Sequence, residues 1–413
     1  MRFKRVFLIL FILTFTICSI DNPHFFRGSY FFGEPRIAKD NLFTSQIRFS
    51  GGGTFDGINR ECKTNILQIY GRENIFELAN GAPESVLDKN PGSFLDTLWQ
   101  KTPANKNFGQ MDFFGHFQTI ELDFDIQQNF KYGIFTELYV PIRELQTHNI
   151  SFKDFSTKEN AGPDINFAQW QNFVRYFDSY LNRYGLCLHS SKVTSLADMT
   201  TLIGWTLNYE DTKYIDYIDA SIKLGVVFPF GKKKVDNVFA ISPGYGHWGF
   251  PVYVDLSVGL YEWLTLGGHL SGIVFGSDRE NLYMKTANSQ NGLIKITKGA
   301  ATVDFGSILT FGLFLRGDHV NRRFSFLLAY RYDQQFATKL RPFDLSTFRS
   351  AIVNNDSTLK GWVMHTIDFS MEYDFATYLC PNRPRLELFF DIPVAGKRIF
   401  KTTMIGLGVS FDY

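Results

Sequence analysis

Long apolar runs are scarce in this chain of 413 residues. After residue 20, no stretch reaches the roughly 18 to 20 consecutive apolar residues that a helix needs to cross a bilayer. Apolar residues are nonetheless abundant: 45% of the chain is hydrophobic and 17% is aromatic, with 44 Phe and 19 Tyr. So much Phe is unusual for a soluble domain. The sequence therefore predicts no transmembrane helix after residue 20, and its apolar content calls for a different architecture.

The chain also lacks an excess of charge of either sign. The 42 Lys and Arg residues almost cancel the 41 Asp and Glu residues, which leaves a net charge of +1. A nearly neutral chain has no general attraction for a polyanion. We therefore expect no nucleic-acid partner.

Motifs for catalysis, cofactors or metals are also missing. The eight His residues are scattered, and none lies near the kind of nucleophile motif that a Ser/His hydrolase needs. The run Gly51-Gly52-Gly53 lacks the Lys and the following helix of a phosphate-binding loop. No Cys and His residues have the usual spacing of a metal site. The sequence predicts no catalytic residue, no cofactor and no metal, so an enzyme is the least favoured interpretation.

The most informative pattern is the last stretch, residues 401–413, which reads KTTMIGLGVSFDY. In an extended strand every second residue points to the same face. One face is apolar and carries Ile405, Leu407, Val409, Phe411 and Tyr413. The other face is small or polar and carries Gly406, Gly408, Ser410 and Asp412. Soluble proteins seldom end on an exposed apolar strand, because such an edge invites aggregation.

This ending resembles the C-terminal signature of bacterial outer-membrane β-barrel proteins, whose last strand alternates hydrophobic residues and finishes on an aromatic ring. The resemblance implies a closed barrel in a bilayer, with outer-membrane lipids around it. It also implies that Phe411 and Tyr413 form the signal that the barrel-assembly machinery reads during insertion. We therefore predict a location in the bacterial outer membrane.

Alternation of apolar and polar residues recurs along the chain and predicts about twelve strands. They cover residues 42–52, 112–126, 132–143, 200–210, 215–230, 250–260, 264–275, 300–316, 322–335, 362–375, 385–392 and 401–413. The connections are alternately long or polar and tight, as in outer-membrane barrels, whereas a soluble β-sandwich has no reason to sort its loops in this way. Within one long connection, residues 167–181 have the apolar spacing of a short surface helix.

The predicted fold is an all-β, transmembrane, antiparallel up-and-down β-barrel over residues 42–413. Short turns would lie in the periplasm and long loops outside, the largest being residues 53–110 and 144–199. Residues 1–20 have a basic start and an apolar run that is typical of a secretory signal peptide. Residues 21–41 would lead into the barrel from the periplasmic side.

If the apolar faces contact lipid, the opposite faces line the lumen. They carry many carboxylates, among them Glu121, Asp123, Asp125, Asp368, Glu372, Asp374, Glu387 and Asp391. The basic residues on these faces include Arg323, Arg331 and Arg385. A turn centred near residues 379–380 would place Asp374 opposite Arg385, Glu372 opposite Glu387, and Asp368 opposite Asp391. The glycines of the last strand would leave clearance beside this acidic wall.

Clusters of Asp and Glu in a pore favour cations. The leading hypothesis is a porin-like channel for passive transport of small polar solutes, cationic or neutral. The alternative is a closed structural or adhesin-like barrel in which the charges pair across the lumen and the extracellular loops act; an outer-membrane hydrolase comes third. Three cysteines follow residue 20, so at most one disulfide can form. Cys62 and Cys187 are its predicted members because both lie in long external loops, whereas Cys380 lies in a turn.

Overall fold

The structure is a computed structural model that describes residues 16–17, 43–60, 62–83, 86, 98, 101–210, 215–231, 237–261, 263–318, 320, 323–375 and 384–413. Thr16–Ile17 form a short strand that pairs in parallel with Asn281 and Leu282. Apart from these two residues, the predicted signal peptide and the lead-in over residues 21–41 lie outside the described residues. The same is true of Cys380.

Twelve antiparallel strands form a closed ring. In chain order they are β1 (Phe43–Thr54), β2 (Gln110–Asn129), β3 (Ile134–Asp154), β4 (Met199–Glu210), β5 (Tyr217–Phe228), β6 (Gly249–Leu260), β7 (Leu264–Phe275), β8 (Ile308–Gly317), β9 (Phe324–Gln335), β10 (Val363–Asp374), β11 (Arg385–Lys397) and β12 (Met404–Asp412). Each strand pairs with the next one along the chain, and β12 pairs with β1. The predicted up-and-down barrel is confirmed, including its closure by the first and last strands.

The two faces of the wall are inverted relative to a soluble protein. Large apolar side chains on the outer face are exposed; Leu207 is 54% exposed and Leu256 is 52% exposed. Charged side chains on the inner face are buried; Glu121 is 1% exposed and Asp333 is fully buried. Such a surface suits a bilayer, in which the backbone groups of a closed barrel are all paired and the outer face meets hydrocarbon.

One predicted strand is wrong. Residues 300–316 are two strands, because Lys298–Asp304 pairs with Asp278–Tyr283 and with Lys339–Pro342 outside the ring, and β8 begins only at Ile308. Conversely, β3 extends eleven residues beyond its predicted end at residue 143 and pairs with β2 in a two-stranded ribbon, with a bulge between Phe114 and His116. The large connection predicted over residues 144–199 is shorter as a result.

The connections alternate as predicted. The short ones, within residues 130–133, 211–216, 261–263, 318–323 and 375–384, lie at one end of the barrel, which we call the turn rim. Exposed aromatic residues lie at or beside it: Tyr132, Tyr209, Tyr261, Trp263, Tyr373 and Phe375. Lys131–Gly133 form a 3-10 helix in the first of these turns. Aromatic girdles at the interface are typical of membrane barrels.

The long connections lie at the opposite end, the loop rim, and contain the remaining regular elements. The helices are α1 (Ile75–Asn80), α2 (Lys158–Ala161), α3 (Phe167–Arg175), α4 (Phe177–Asn182) and α5 (Ser350–Val353). The strands are Asp56–Asn59, Cys62–Asn65, Glu73–Asn74, Ser191–Leu196 and Ile399–Phe400, and 3-10 helices cover Ile66–Gln68 and Ser357–Leu359. The helix predicted over residues 167–181 is observed as α3 and α4, with a break at Tyr176.

These connections share a hydrophobic core of their own. Its largest fully buried side chains include Phe76, Trp170, Phe177, Phe239 and Phe400. Most residues of this core come from five of the six long connections, and four come from the loop-rim parts of β2 and β3: Met111, Phe113, Phe117 and Leu145.

The first and fourth connections leave the ring on opposite sides and meet directly, because Gln290 Nε2 donates to the Leu78 carbonyl at 3.2 Å and Thr286 Oγ1 donates to the Gly81 carbonyl at 2.6 Å. The core therefore extends across the mouth of the barrel. The remaining connection, residues 336–362, packs against the fourth through a smaller cluster that includes Leu282, Leu340 and Phe348. We call the folded layer that the six connections form the cap.

Candidate functional site: the charged barrel wall

The first group of predicted site residues lies on β2. Glu121, Asp123 and Asp125 alternate along this strand, point inward and are at most 3% exposed. In the adjacent strand β1 they lie opposite Ser50, Arg48 and Gln46 respectively. Period-2 alternation, which the sequence shows clearly from Ile120 onward, places all three carboxylates on the same wall.

Polar partners from β3 meet these carboxylates. Arg143 Nε lies 3.4 Å from Glu121 Oε2, and Tyr139 donates a hydrogen bond of 2.9 Å to Asp123. Arg143 Nη1 also donates to the Pro243 carbonyl of the cap at 2.9 Å. Arg143 was not among the predicted lumen residues because the predicted strand ended there. Arg143 has an odd residue number, as Glu137 and Tyr139 do, and therefore lies on the same face of the strand. This alternation is the sequence signal that could have identified it.

A second charged group surrounds Lys223 of β5. Its ammonium lies 3.4 Å from Glu137 Oε2 on β3 and 3.8 Å from Asp255 Oδ2 on β6. Asp255 also accepts a hydrogen bond of 3.0 Å from Ser221. Lys223 is only 4% exposed, so the opposite charges compensate the cost of burying its charge.

The hairpin of β10 and β11 has the predicted register. Asp374 is opposite Arg385, Glu372 is opposite Glu387, and Asp368 is opposite Asp391. Like-charged pairs at this spacing need compensation. Arginines of neighbouring strands supply this compensation and occupy the place where open space was predicted.

Three arginines form these ion pairs. Arg48 of β1 binds Glu387 with two hydrogen bonds of 3.0 and 3.1 Å. Arg331 of β9 lies 2.9 Å from Asp333 and 3.6 Å from Asp368. Arg316 of β8 lies 3.7 Å from Glu372.

Arg385 itself joins this network. It lies 3.7 Å from Glu372 and 3.3 Å from Asp412 of β12. The charged residues of the hairpin are therefore linked to four other strands of the ring: β1, β8, β9 and β12. Each link crosses between neighbouring or nearby strands, so the network also ties the wall together.

The glycines of β12 do not leave the predicted clearance. A Cβ on Gly406 would lie 2.2 Å from the Phe389 ring, and one on Gly408 would lie 2.9 Å from Glu387 Oε2. Larger side chains of the adjacent strands therefore fill the space beside both glycines. The prediction of clearance was wrong because it considered β12 without its neighbours.

Two predictions about single residues are also wrong. Arg323 does not line the wall: β9 begins one residue later, and Arg323 is exposed in the connection at the turn rim. Cys62 and Cys187 are both free thiols. Cys62 begins the strand Cys62–Asn65. The backbone of Cys187 instead pairs with that of Asn237 as an isolated parallel β-bridge, in a different part of the cap.

The predicted insertion signal lies at the seam of the ring. The Tyr413 N–H donates to the Phe43 carbonyl at 2.8 Å, and the Tyr413 ring lies 5.8 Å from the Phe43 ring. Tyr413 is 53% exposed on the outer side. The recognition of Phe411 and Tyr413 by an assembly machinery remains a prediction.

Asp198 connects the wall to the cap just before β4. Its carboxylate accepts hydrogen bonds from the backbone N–H groups of Gly231, Tyr245 and Gly246, at 2.9, 2.5 and 3.2 Å. Burial raises the pKa of Asp198, and these hydrogen bonds oppose the rise. Sequence reasoning missed Asp198, because its partners are more than 30 residues away.

No protein-family model matches the chain, and no curated protein matches it. Solved barrels are similar in shape. An outer membrane channel from Pseudomonas putida F1 has a TM-score of 0.47 and 9% identity, covering 90% of this chain and 96% of that one. The translocator domain of the autotransporter NalP from Neisseria meningitidis has a TM-score of 0.37 and 8% identity, covering 90% and 88%.

The toluene transporter TodX of Pseudomonas putida has a TM-score of 0.34 and 9% identity, and the match covers 91% of each chain. At these values the likeness concerns barrel architecture only, and the assignment below does not depend on it. The closed ring and the exposed apolar outer face carry the assignment instead. This chain is a transmembrane β-barrel protein of the outer-membrane type.

Proposed function

We propose that the protein is an outer-membrane channel for small polar solutes, with a preference for cations over anions. The observation that carries this proposal is the excess of carboxylates on the inner wall. The inward carboxylates of the twelve strands are Glu121, Asp123, Asp125, Glu137, Glu210, Asp219, Asp255, Asp333, Asp368, Glu372, Asp374, Glu387, Asp391 and Asp412. The inward basic residues are Arg48, Arg143, Lys223, Arg316, Arg331 and Arg385.

This imbalance supports cation preference for an electrostatic reason. The ion pairs described above neutralise part of the carboxylate charge, but six basic residues cannot balance the larger acidic set. A pore with a net acidic wall raises the local concentration of cations and lowers that of anions. The acidic set is densest along β2, where three carboxylates follow one another on the inner face.

Orientation is part of the proposal. We propose that the loop rim and its cap face the outside of the cell and that the turn rim faces the periplasm, because outer-membrane barrels have short periplasmic turns. The cap then controls access to the lumen. Outer-membrane lipids surround the wall, and the barrel-assembly machinery inserts it through the last strand.

The proposal is tested by conductance in planar bilayers with a salt gradient. We expect discrete current steps and a reversal potential of the sign for cation preference. Replacing the acidic set of β2 with the variant Glu121→Gln, Asp123→Asn, Asp125→Asn should shift the reversal potential toward zero. A matched control, Glu159→Gln, Asp164→Asn, Asp344→Asn, removes the same charge from exposed positions of the cap. The control should retain the wild-type preference.

The competing function is a closed barrel that acts through its outer surface, as an adhesin-like or structural protein. The observation in its favour is the cap, whose own hydrophobic core crosses the mouth. Conductance separates the two functions. The closed barrel would give no current steps, even from a variant whose cap has been unfolded, and that result would overturn the channel proposal.

A further inference from the structure

The cap brings together three side chains with the chemistry of a transition-metal site. They are Asp178 on α4, and Cys187 and His189 on the segment that follows it. One carboxylate oxygen, the sulfur and one ring nitrogen all lie within 4.8 Å of one another. Asp178 Oδ2 and His189 Nε2 are 3.0 Å apart.

The short sequence spacing explains why the three meet. Cys187 and His189 are two residues apart, so an extended backbone turns both side chains to the same side. Asp178 is nine residues before Cys187, and the chain reverses after α4 at residues 183–186. This set contains one residue of each type, so it lacks the paired Cys or His motif by which a metal site is usually identified in a sequence.

Hydrogen bonds hold the backbone and the carboxylate of this site in place. The Leu188 N–H, between the two other ligands, donates to Asp178 Oδ1 at 3.0 Å. The Cys187 carbonyl accepts from the Val238 N–H at 2.9 Å, and the His189 carbonyl accepts from Asn237 Nδ2 at 2.6 Å. The second carboxylate oxygen of Asp178 thus remains aimed at the imidazole of His189, as outer-shell hydrogen bonds do in metal sites.

We propose that Asp178, Cys187 and His189 bind a zinc-type divalent cation, with a water molecule in the fourth position. Thiolate, imidazole and carboxylate are the three ligand types that Zn²⁺ takes in proteins, at about 2.0–2.3 Å. Tetrahedral coordination at those lengths places ligand atoms about 3.3–3.8 Å apart. The 3.0 Å separation of Asp178 and His189 would have to widen slightly, and a separation near the 4.8 Å limit would have to contract by about 1 Å. The ion pair of His189 and Asp178 alone would leave the role of Cys187 unexplained.

Bound metal would tie α4 to the segment that carries Cys187 and His189. Because the ligands bind in their deprotonated forms, metal affinity should decrease as the pH falls. His189 is exposed and Cys187 is half-buried, so an ion can enter from solvent. The proposal does not depend on whether the barrel conducts ions.

Co²⁺ is the probe for this site, because a cobalt–thiolate bond has a charge-transfer band in the near ultraviolet. The folded barrel, purified in detergent without a polyhistidine tag, should bind one equivalent of Co²⁺ with this band, and Zn²⁺ should displace it. Cys187→Ser should abolish the band. Cys62→Ser is the matched control, since it removes the other described free thiol, and it should leave the band unchanged.

A second measurement tests the proposal even if the cap of the Cys187→Ser variant fails to fold. In the wild-type protein, Zn²⁺ should slow alkylation of Cys187 at least tenfold and leave alkylation of Cys62 unchanged, as mapped by mass spectrometry. His189→Gln, which keeps both thiols, should lose this protection. The proposal is overturned if no charge-transfer band forms in wild type, if Cys187→Ser retains the band, or if Zn²⁺ protects both thiols equally.

Discussion

The barrel wall and the cap have opposite arrangements of apolar and charged side chains. In the wall, leucines such as Leu407 point outward and carboxylates such as Asp333 are buried. In the cap, Trp170 and Phe173 are buried, while Glu159 and Asp344 are exposed. The loop rim is therefore the boundary between two solvents: hydrocarbon surrounds the wall, and water surrounds the cap.

The two regions also differ in how they are stabilised. The wall depends on the backbone hydrogen bonds of a closed ring, to which the inner ion pairs add links between strands. The cap depends on burial of aromatic side chains drawn from five connections. A change that damages one region should therefore spare the other, and the predictions below use this separation.

The largest effect is expected at the seam of the wall. Phe411→Asp, or deletion of Tyr413, removes the apolar end of the strand that closes the ring on β1. Either change should abolish assembly, because an unclosed edge leaves backbone groups unpaired in lipid. The measurement is heat-modifiable migration on a gel, with Asp344→Asn in the cap as a control that should assemble. Normal assembly of both seam variants would mean that the role of the last strand is misassigned.

A smaller effect, confined to the cap, is expected from Trp170→Ala. Trp170 is fully buried among the aromatic residues of the cap and donates a hydrogen bond of 2.7 Å to Asp154. Loss of a buried Trp costs about 3–5 kcal/mol. Limited proteolysis should cut the cap while heat-modifiable migration remains that of wild type. Exposed Tyr176, changed to Ala, is the matched control. Loss of the barrel in Trp170→Ala would show that the two regions fold as one unit.

Replacing an exposed leucine with arginine in the wall and in the cap compares the two solvents directly. Leu407 in the wall is 53% exposed and Leu345 in the cap connection is 62% exposed. Leu407→Arg should destabilise the folded barrel by about 2–4 kcal/mol if the residue lies near the bilayer midplane. Leu345→Arg should change stability by less than about 0.5 kcal/mol, since its surroundings are water. Unfolding by denaturant in lipid vesicles measures both, and equal effects would contradict the assignment of solvents.

A local effect, confined to one carboxylate, concerns pH and Glu73 of the cap. This carboxylate is 3% exposed and accepts hydrogen bonds from the backbone N–H groups of Leu293 and Ile294. Burial raises the pKa of Glu73 from 4.5 to about 7, against the lowering influence of Lys295 and of the two backbone N–H groups. The folded cap thus holds this proton more tightly than the unfolded cap does.

The sign of the pH effect follows from that difference. The contribution of Glu73 to cap stability is greatest below pH 4.5, decreases as the pH rises to about 7, and is constant above that. Amide hydrogen exchange of Leu293 and Ile294 should therefore accelerate, relative to Glu73→Gln, as the pH rises through this window. Parallel pH profiles in wild type and variant would contradict the assignment.

Sequence patterns predicted the wall far better than the cap, for a physical reason. Lipid on one side forces strict alternation, so the register of β10 and β11 followed from the centre of their turn. The two faces of β12 were also predicted correctly, although the strand begins at Met404 and not at residue 401. Errors arose where lipid no longer imposes the pattern. The strand over residues 300–316 is broken at the loop rim, and Arg323 lies just outside the wall.

The cap could not be predicted because its contacts are not local. Glu73 meets Leu293, and Asp198 meets Tyr245, through chain reversals that leave no periodic signal. The same is true of the cysteines: loop length suggested that Cys62 would meet Cys187, but their positions depend on pairing with Asn59 and Asn237. Only the set of Asp178, Cys187 and His189 is compact enough in sequence to have been noticed.

Closure of the ring between β1 and β12 is the central claim, and cross-linking tests it most directly. Phe49 lies opposite Leu407 across this seam, on the outer face. With both residues changed to Cys and the other cysteines replaced by Ser, a short bifunctional thiol reagent should join them in the intact membrane. The pair of Phe49→Cys with Leu386→Cys, two strands apart on the same face, is the control that should not react. Efficient linking of Phe49 to Leu407 alone is the predicted result; failure of this pair to link in assembled protein would contradict a closed twelve-stranded barrel.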